Sequence, residues 1–255
     1  MDTGPVSGNV FLSIPRLNNI GNFHHFISSR RYVGDVSRVE GRKRILEILE
    51  LEENAIIRSC QVHSNRVHVV SHIDIEENSF LSDMPSFTAD ALVTNVKNIY
   101  LAIFVADCVP LFIIDPVQCC LAVVHAGWRG VASRVHVCAV ETLGLQYGSL
   151  PRNLRVGIGP YIKSCCFEVE EDVVVLLSRK NVVTAEPREP GKWMVDLGKV
   201  IKHDLISQGV TVENIKEMKY CTSCRRDMFF SHRGEGGQTG RFLLGAGITG
   251  KNGAF

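Results

Sequence analysis

Little in this chain is extreme, and what it lacks narrows its class. Basic and acidic side chains nearly cancel, 28 Lys and Arg against 27 Asp and Glu, for a formal charge of +1. That leaves no electrostatic footprint of the kind that drives counterion release from nucleic acid, and a small-molecule partner is expected in place of a polyanion. No apolar run reaches the roughly eighteen residues of a membrane-spanning helix. The opening MDTGPVSGNVFLSIPRL has no basic segment followed by an apolar one, so the expectation is a cytoplasmic protein with no membrane partner. Repeats, low-complexity tracts and Pro/Ser-rich linkers are missing too, and one domain over residues 1–255 is the simplest organisation. A disulfide framework is also excluded. The 9 cysteines are odd in number and include two adjacent pairs, Cys119-Cys120 and Cys165-Cys166, which suits a reducing compartment. Most of them, like Cys138 in VHVCAVETL, read as small buried hydrophobes.

What is present is a hydrophobic share of 45%, ordinary for a globular core. Residues 38–50 repeat apolar positions at helical spacing and predict a helix. Residues 55–70 are β-rich on both sides of Ser64-Asn65 and predict two strands joined at a bend that carries Gln61 and His63. From Ile99 to Asp115 the chain is almost wholly apolar apart from Asp107-Cys108, and Pro110 argues against one uninterrupted strand or helix, so two strands meet at a break. CLAVVHAGWRG predicts a strand ending at His125, a loop bracketed by Gly127 and Gly130, and then a helix over 131–148. LRVGIGP predicts a strand, EVEEDVVVLLSRK a helix with an acidic first turn, and DLGKVIKHDLISQG an amphipathic helix stopped by glycine. FFSHRGEGGQTGRFLLGAG predicts two short strands around a loop rich in Gly and Arg. Strands and helices alternate without a regular βαβ period, so the class is mixed α/β, or α+β, with no doubly wound sheet.

Polar groups inside buried strands are costly unless bonded or bound to a metal. Asp107-Cys108 inside its apolar run, and His125 at a strand end before two glycines, are therefore candidate functional residues; His63 lies in a turn, where sites are commonly built. Two imidazoles and a thiolate make a suitable set of ligands for zinc or copper with a fourth position open. The same three residues would equally serve metal-free nucleophilic catalysis, an imidazole deprotonating Cys108. Spacing alone does not bring positions 63, 108 and 125 together. Cys221 and Cys224 form a CxxC, but no second CxxC or histidine pair completes a zinc site, and packing near the site is the simpler reading. His68 and His72 read as surface residues, since odd and even offsets in a strand face opposite ways.

QVHSNRV, TADALVT, ADCVPLFIIDP, VHAGWRG, GIGPYIKSCCFEV and CTSCRRDMFFSHRGEGGQTGR occur in the order found in the YfiH-type family, and from Ser29-Arg30 to Arg241 the chain resembles it. That family is also called the multicopper polyphenol oxidoreductases and is regarded as purine nucleoside phosphorylases. The resemblance implies an α-β-β-α layered sandwich similar to the catalytic domain of cytotoxic necrotizing factor. It also implies that His63, Cys108 and His125 form a metal-binding catalytic centre, with zinc, or copper, as cofactor. The implied reactions are phosphorolysis of adenosine, inosine, guanosine and S-methyl-5′-thioadenosine, with phosphate as co-substrate, and deamination of adenosine, in a monomer or homodimer. Phosphorolysis needs an anion site, for which Arg30, Arg129 and Arg241 are the candidates. Deamination needs an activated water, with Asp107 as proton shuttle or as the partner that orients a ligand histidine. The older family name implies copper-dependent phenol oxidation instead, which several copper ions and many histidines would serve; the chain has 9 histidines and no HxH pair. Three departures stand out. The stretch between Val70 and Thr88 looks like a surface insertion, Lys163-Ser164 would alter the pocket rim, and SHRGEGG leaves Gly234 and Glu235 outside any inherited role.

Overall fold

The apolar run from Ile99 to Asp115 does not stay in one sheet. The computed structural model describes residues 10–15, 17, 20–178 and 185–250. In it the run divides into β5 (Ile99–Val105) and β6 (Val109–Asp115), which belong to different sheets, so the Asp107-Cys108 step crosses from one layer to the other. Asp107 makes this turn in the left-handed region at φ 88°. Pro110 lies near the start of β6, a strand flanked on both sides, and not at the break; the proline carbonyl still accepts from Gly159 N–H at 2.8 Å.

The first sheet has the order β1-β13-β5-β2, with β1 (Phe23–Ile27), β13 (Phe242–Ile248) and β2 (Ile56–Arg58) around β5. The second, of six strands, runs β12-β8-β6-β7-β4-β3 and adds β12 (Ile215–Glu217), β8 (Arg155–Ile158), β7 (Cys120–Ala126), β4 (Ala91–Thr94) and β3 (Val67–Val69). A third sheet of three strands joins β10 (Ala185–Glu189), β11 (Lys192–Val195) and β9 (Glu168–Glu170). Alternation along β6 and β7 shows how the layers form. Phe112, Ile114, Leu121 and Val123 pack against Ile57, Leu101, Ile103 and Leu244 of the first sheet. Leu111, Ile113, Ala122 and Val124 face the other way, onto α4 (Val135–Tyr147) and α6 (Leu197–Ser207). On the outer face of the first sheet, Ile45 and Leu46 of α1 (Val39–Leu49) cover Ile56, Tyr100, Ala102 and Leu243. The layering is therefore helix, sheet, sheet, helix. Strands buried on both faces have no polar face to display, which is why they read as continuous apolar runs.

Several local expectations need correction. The bend at Ser64-Asn65 does join two strands, which enter different sheets: β2 joins β5 and β3 joins β4, in parallel. The loop after His125 is itself the short helix α3 (Trp128–Ala132), separated from α4 by Arg134 at φ 62°. EVE forms β9, and only from Glu171 does the helix α5 (Glu171–Leu177) begin, with Glu171 and Asp172 in its first turn; Arg179 and Lys180 lie outside the described residues. Phe229-Phe230 form no strand; both are buried core side chains. The stretch between Val70 and Thr88 carries the short helix α2 (His72–Glu76) and is no mere surface excursion, since Phe80 is fully buried and Asn78 Nδ2 donates to Ile56 O at 2.9 Å.

Candidate active site

Three chain segments meet where the two main sheets part. His125 is the sixth residue of β7, buried, with its backbone fixed by an N–H donated to Asp90 O at 2.7 Å. Cys108 follows the left-handed Asp107 at the crossing from β5 to β6 and is half-buried. His63 is held in the left-handed region at φ 60°, an uncommon state for a residue with a Cβ. What holds it there is Asp90, the residue before β4 and wholly buried. Its Oδ1 accepts from His63 N at 2.9 Å, and its Oδ2 accepts from Ser64 N and Ser64 Oγ, both at 2.7 Å. Gln61 anchors the same bend to β5 by exchanging hydrogen bonds with the Phe104 backbone, both at 2.8 Å.

The outcome is a convergence that sequence spacing did not determine. One ligand atom each from His63, Cys108 and His125 lies within 4.8 Å of the others. Cys108 Sγ stands 3.8 Å from His63 Nε2, and the two imidazoles meet edge to face with centroids 4.8 Å apart. The backbone of Gly127 closes over them. A Cβ at that position would lie 2.8 Å from His63 Cδ2 and 3.0 Å from Cys108 Sγ, so only glycine leaves both side chains in place.

Asp90 Oδ1 also accepts a hydrogen bond from His125 Nδ1 at 2.8 Å, which sets the tautomer and leaves Nε2 on the cavity side. Burial alone would push the Asp90 carboxyl up; the hydrogen bonds from His125 and Ser64 outweigh it and hold the group down at about 2. Burial also works against charge on Cys108 and His125. Their mutual attraction, the Asp90 carboxylate and the His63 ring prevail, lowering the thiol below its ordinary range and raising the imidazole above its own.

These side chains open into a cavity of about 610 Å³, within the usual range for small-molecule sites. Its walls include Phe104, Trp128, Ile162 and Phe167, and its charged groups are Arg58, Arg129, Arg233, Arg241, Asp83 and Asp107. Arg129 stacks on Trp128 at 4.1 Å. Asp107 Oδ1 accepts from Thr222 Oγ1 at 2.5 Å and its Oδ2 from Arg233 N at 2.7 Å. The carboxylate that orients a histidine is thus Asp90 and not Asp107. Asp90 went unassigned from sequence, although an acidic residue inside FTADALVT carries the same signal of a polar group in an apolar strand.

Other expected residues fall elsewhere. Arg30 does not line this cavity; it pairs with Glu235 over the ring of Phe230, 4.8 Å from the centroid. Glu235, given no role from sequence, is therefore the partner of Arg30. Lys163 turns from the rim to pair with Glu217 and lies over the Tyr161 ring at 3.5 Å. His68 bonds Asp74 at 2.8 Å and stacks on Phe87 with ring centroids 4.0 Å apart, half-buried and away from the site. His72 is exposed. Asp83 and Pro85, from the segment expected to be peripheral, form part of the cavity wall.

Comparison with known proteins places this geometry. A family model described as multi-copper polyphenol oxidoreductase laccase matches residues 27–249. The chain belongs to that family. Among relatives of this laccase-like domain, the purine nucleoside phosphorylase YlmD of Bacillus subtilis (strain 168) is 30% identical over 217 residues, 84% of this chain and 78% of YlmD. The adenosine deaminase RL5, from an unknown prokaryotic organism, is 32% identical over 225 residues, 84% of each chain. The crystal structure of YlmD from Geobacillus stearothermophilus superposes with a TM-score of 0.89 at 26% identity, covering 98% of this chain and all of that one. The Bacillus licheniformis protein YfiH gives 0.86, also at 26% identity, over 96% of this chain and 98% of its own. The laccase-like fold is thus a mixed α/β architecture shared with YfiH and YlmD. No helix among the described residues is long and apolar enough to cross a membrane.

Proposed function

We propose that residues 1–255 act as a single catalytic domain of the cytoplasm, a purine nucleoside phosphorylase that accepts adenosine, inosine, guanosine and S-methyl-5′-thioadenosine and also deaminates adenosine. One observation carries the reading: a sulfur and two imidazoles open into the same cavity as several guanidinium groups, in a chain whose relatives bear the names of both activities.

The donor set fits a metal ion. Its three atoms are mutually close, Asp90 holds His125 through Nδ1 so that the other ring nitrogen faces Cys108, and Gly127 leaves the space a Cβ would fill. His63, Cys108 and His125 would hold it, and a borderline-soft set of one sulfur and two nitrogens suits zinc, with copper the competitor. When bound, such an ion polarises a substrate or lowers the pKa of a water.

The remaining chemistry belongs to the protein. In phosphorolysis a phosphate oxygen bonds C1′ of the ribose while the bond from C1′ to the purine nitrogen breaks, and the departing base takes a proton. Arg129 and Arg241 line the cavity and are assigned to the phosphate, whose oxygens match the guanidinium fork. Phe104, Trp128 and Phe167 supply apolar and aromatic wall for the purine. In deamination the water oxygen bonds the purine carbon while its bond to the amino nitrogen breaks, and Asp107, whose oxygens are positioned by Thr222 and Arg233, takes a proton from the water and passes it to that nitrogen, which leaves as ammonia.

The test is pure protein with each nucleoside, with and without phosphate, the products separated by chromatography. Ribose 1-phosphate and free base, together with inosine from adenosine, are expected, and Cys108→Ala should abolish both while far-UV circular dichroism is unchanged. Undiminished turnover in that variant would end the assignment. Oxygen uptake with a phenol, and no nucleoside turnover, would favour copper oxidation instead.

A further inference from the structure

The CxxC at Cys221 and Cys224 is not alone. The loop between β8 and β9 brings Cys165 and Cys166 against it, and the four sulfurs all lie within 4.8 Å of one another. Cys224 Sγ is 3.4 Å from Cys166 Sγ and 3.7 Å from Cys165 Sγ. A tetrahedral zinc thiolate with Zn–S near 2.3 Å has sulfur–sulfur edges of about 3.8 Å, so these spacings need little adjustment to accept an ion. Core packing accounts for Cys221 and in part for Cys166, but not for Cys165 and Cys224, which are exposed, and none of the four is in a disulfide. The backbone is arranged around the sulfurs as well. Lys163 N–H donates to Cys221 Sγ at 3.4 Å, and Tyr161 forms a parallel bridge with Cys221.

We propose that Cys165, Cys166, Cys221 and Cys224 form a second metal site, a structural tetrathiolate centre for zinc, independent of the His63, Cys108 and His125 group. All four positions are filled by protein, as in structural rather than catalytic zinc sites. Binding exchanges four thiol protons, released to solvent, for the ion. Its function follows from what it ties together. From Glu217 to Phe242 the chain runs without helix or strand, a length that needs an anchor. Within the CxxC, Thr222 donates to Asp107 in the cavity wall, so the ion would fix the loop that positions Asp107.

The experiment uses the full chain purified anaerobically with reductant. Cys108→Ser removes the only sulfur of the first group, and no other free cysteine, the exposed Cys60 and Cys119 included, gathers with three more sulfurs among the described residues, so charge-transfer absorption of four-thiolate intensity after Co²⁺ loading must come from the second. One Co²⁺ per chain with a tetrahedral tetrathiolate spectrum is expected in Cys108→Ser, and its loss is expected when Cys166→Ser and Cys224→Ser are added. Absence of charge transfer in Cys108→Ser would overturn the proposal. Should the combined variant fail to fold, the unmutated chain decides: zinc should slow alkylation of the exposed Cys165 and Cys224 by about tenfold or more relative to chelated protein, since a coordinated thiolate is no longer a free nucleophile. Equal rates with and without zinc, or a disulfide within the cluster in the anaerobic protein, would equally overturn it.

Discussion

The Asp90 carboxylate lies 2.8 Å from Nδ1 of His125, and the same oxygen accepts the backbone N–H of His63 at 2.9 Å. A single buried acid thereby sets the tautomer of one imidazole and the left-handed backbone of the other. Replacing Asp90 by Asn substitutes an amide that carries half the acceptor capacity and no charge. Such partners of ligand histidines are typically worth about 10–100-fold in metal affinity or activity. Asp90→Asn is therefore expected to weaken zinc binding by that factor in a chelator competition, with a parallel fall in turnover. Unchanged affinity would mean that Asp90 only supports the turn.

Gly127 makes a sterically sharper prediction. A methyl group there meets His63 and Cys108 at once, at 2.8 Å and 3.0 Å, and has no other direction to take. Displacing two of three donors by a few tenths of an ångström to an ångström costs up to about 100-fold in rate. Gly127→Ala should lose activity on that scale with little change in melting temperature, because the strain is relieved by moving side chains at an open cavity. Activity within a factor of two would show that the donors have slack.

How much of this was legible beforehand depended on the range of the interaction. Period-3.6 patterning located α1 and α6, and apolar runs located β5 through β8, because those signals are local. Pro110 was misjudged, since a strand near its start tolerates the missing N–H. EVE was read as helix because its acidic residues suit a helix N-terminus equally well, and only pairing with β11 makes it a strand. Cys108 and His125 stood out as polar groups in buried strands, whereas Asp90 has the same character and passed unassigned, its partners being 26 to 35 residues away. The cysteine cluster was invisible for a similar reason: CxxC lacked a partner until the loop between β8 and β9 folded back 58 residues to bring Cys166 onto Cys224.

The arginines divide the two proposed reactions. Phosphate is a substrate of phosphorolysis and not of deamination, so removing a guanidinium that holds it should affect one and spare the other. Hydrogen bonds to charged groups are worth about 1.5–3 kcal/mol, or roughly 10–150-fold. Arg129→Ala or Arg241→Ala is expected to raise the KM for phosphate by about that factor, while adenosine deamination without phosphate changes little. Equal losses in both reactions would move the arginine to the nucleoside side of the cavity. Arg30→Ala, which removes a guanidinium that pairs with Glu235 and does not line the cavity, should change neither.

His25, which does not line the cavity, sets an acid limit on the fold. Its ring is buried against Phe112, centroids 4.5 Å apart, and Nε2 accepts the Ile14 N–H at 2.8 Å. Protonation would remove that acceptor and place a charge in the core. Burial, with a smaller contribution from neighbouring His24, pushes the imidazole down from 6.5 to about 3. Below 6.5 the unfolded chain therefore binds a proton that the folded chain refuses, and stability falls with decreasing pH until the folded value is reached. Each pH unit in that window costs about 1.4 kcal/mol. Urea titrations at successive pH values should show this slope, and His25→Gln, which keeps an acceptor for Ile14 but cannot titrate, should be less stable at neutral pH yet lose about one proton's worth of the acid dependence. An unaltered slope in the variant would assign the acid limb to other groups, the buried His136 first among them.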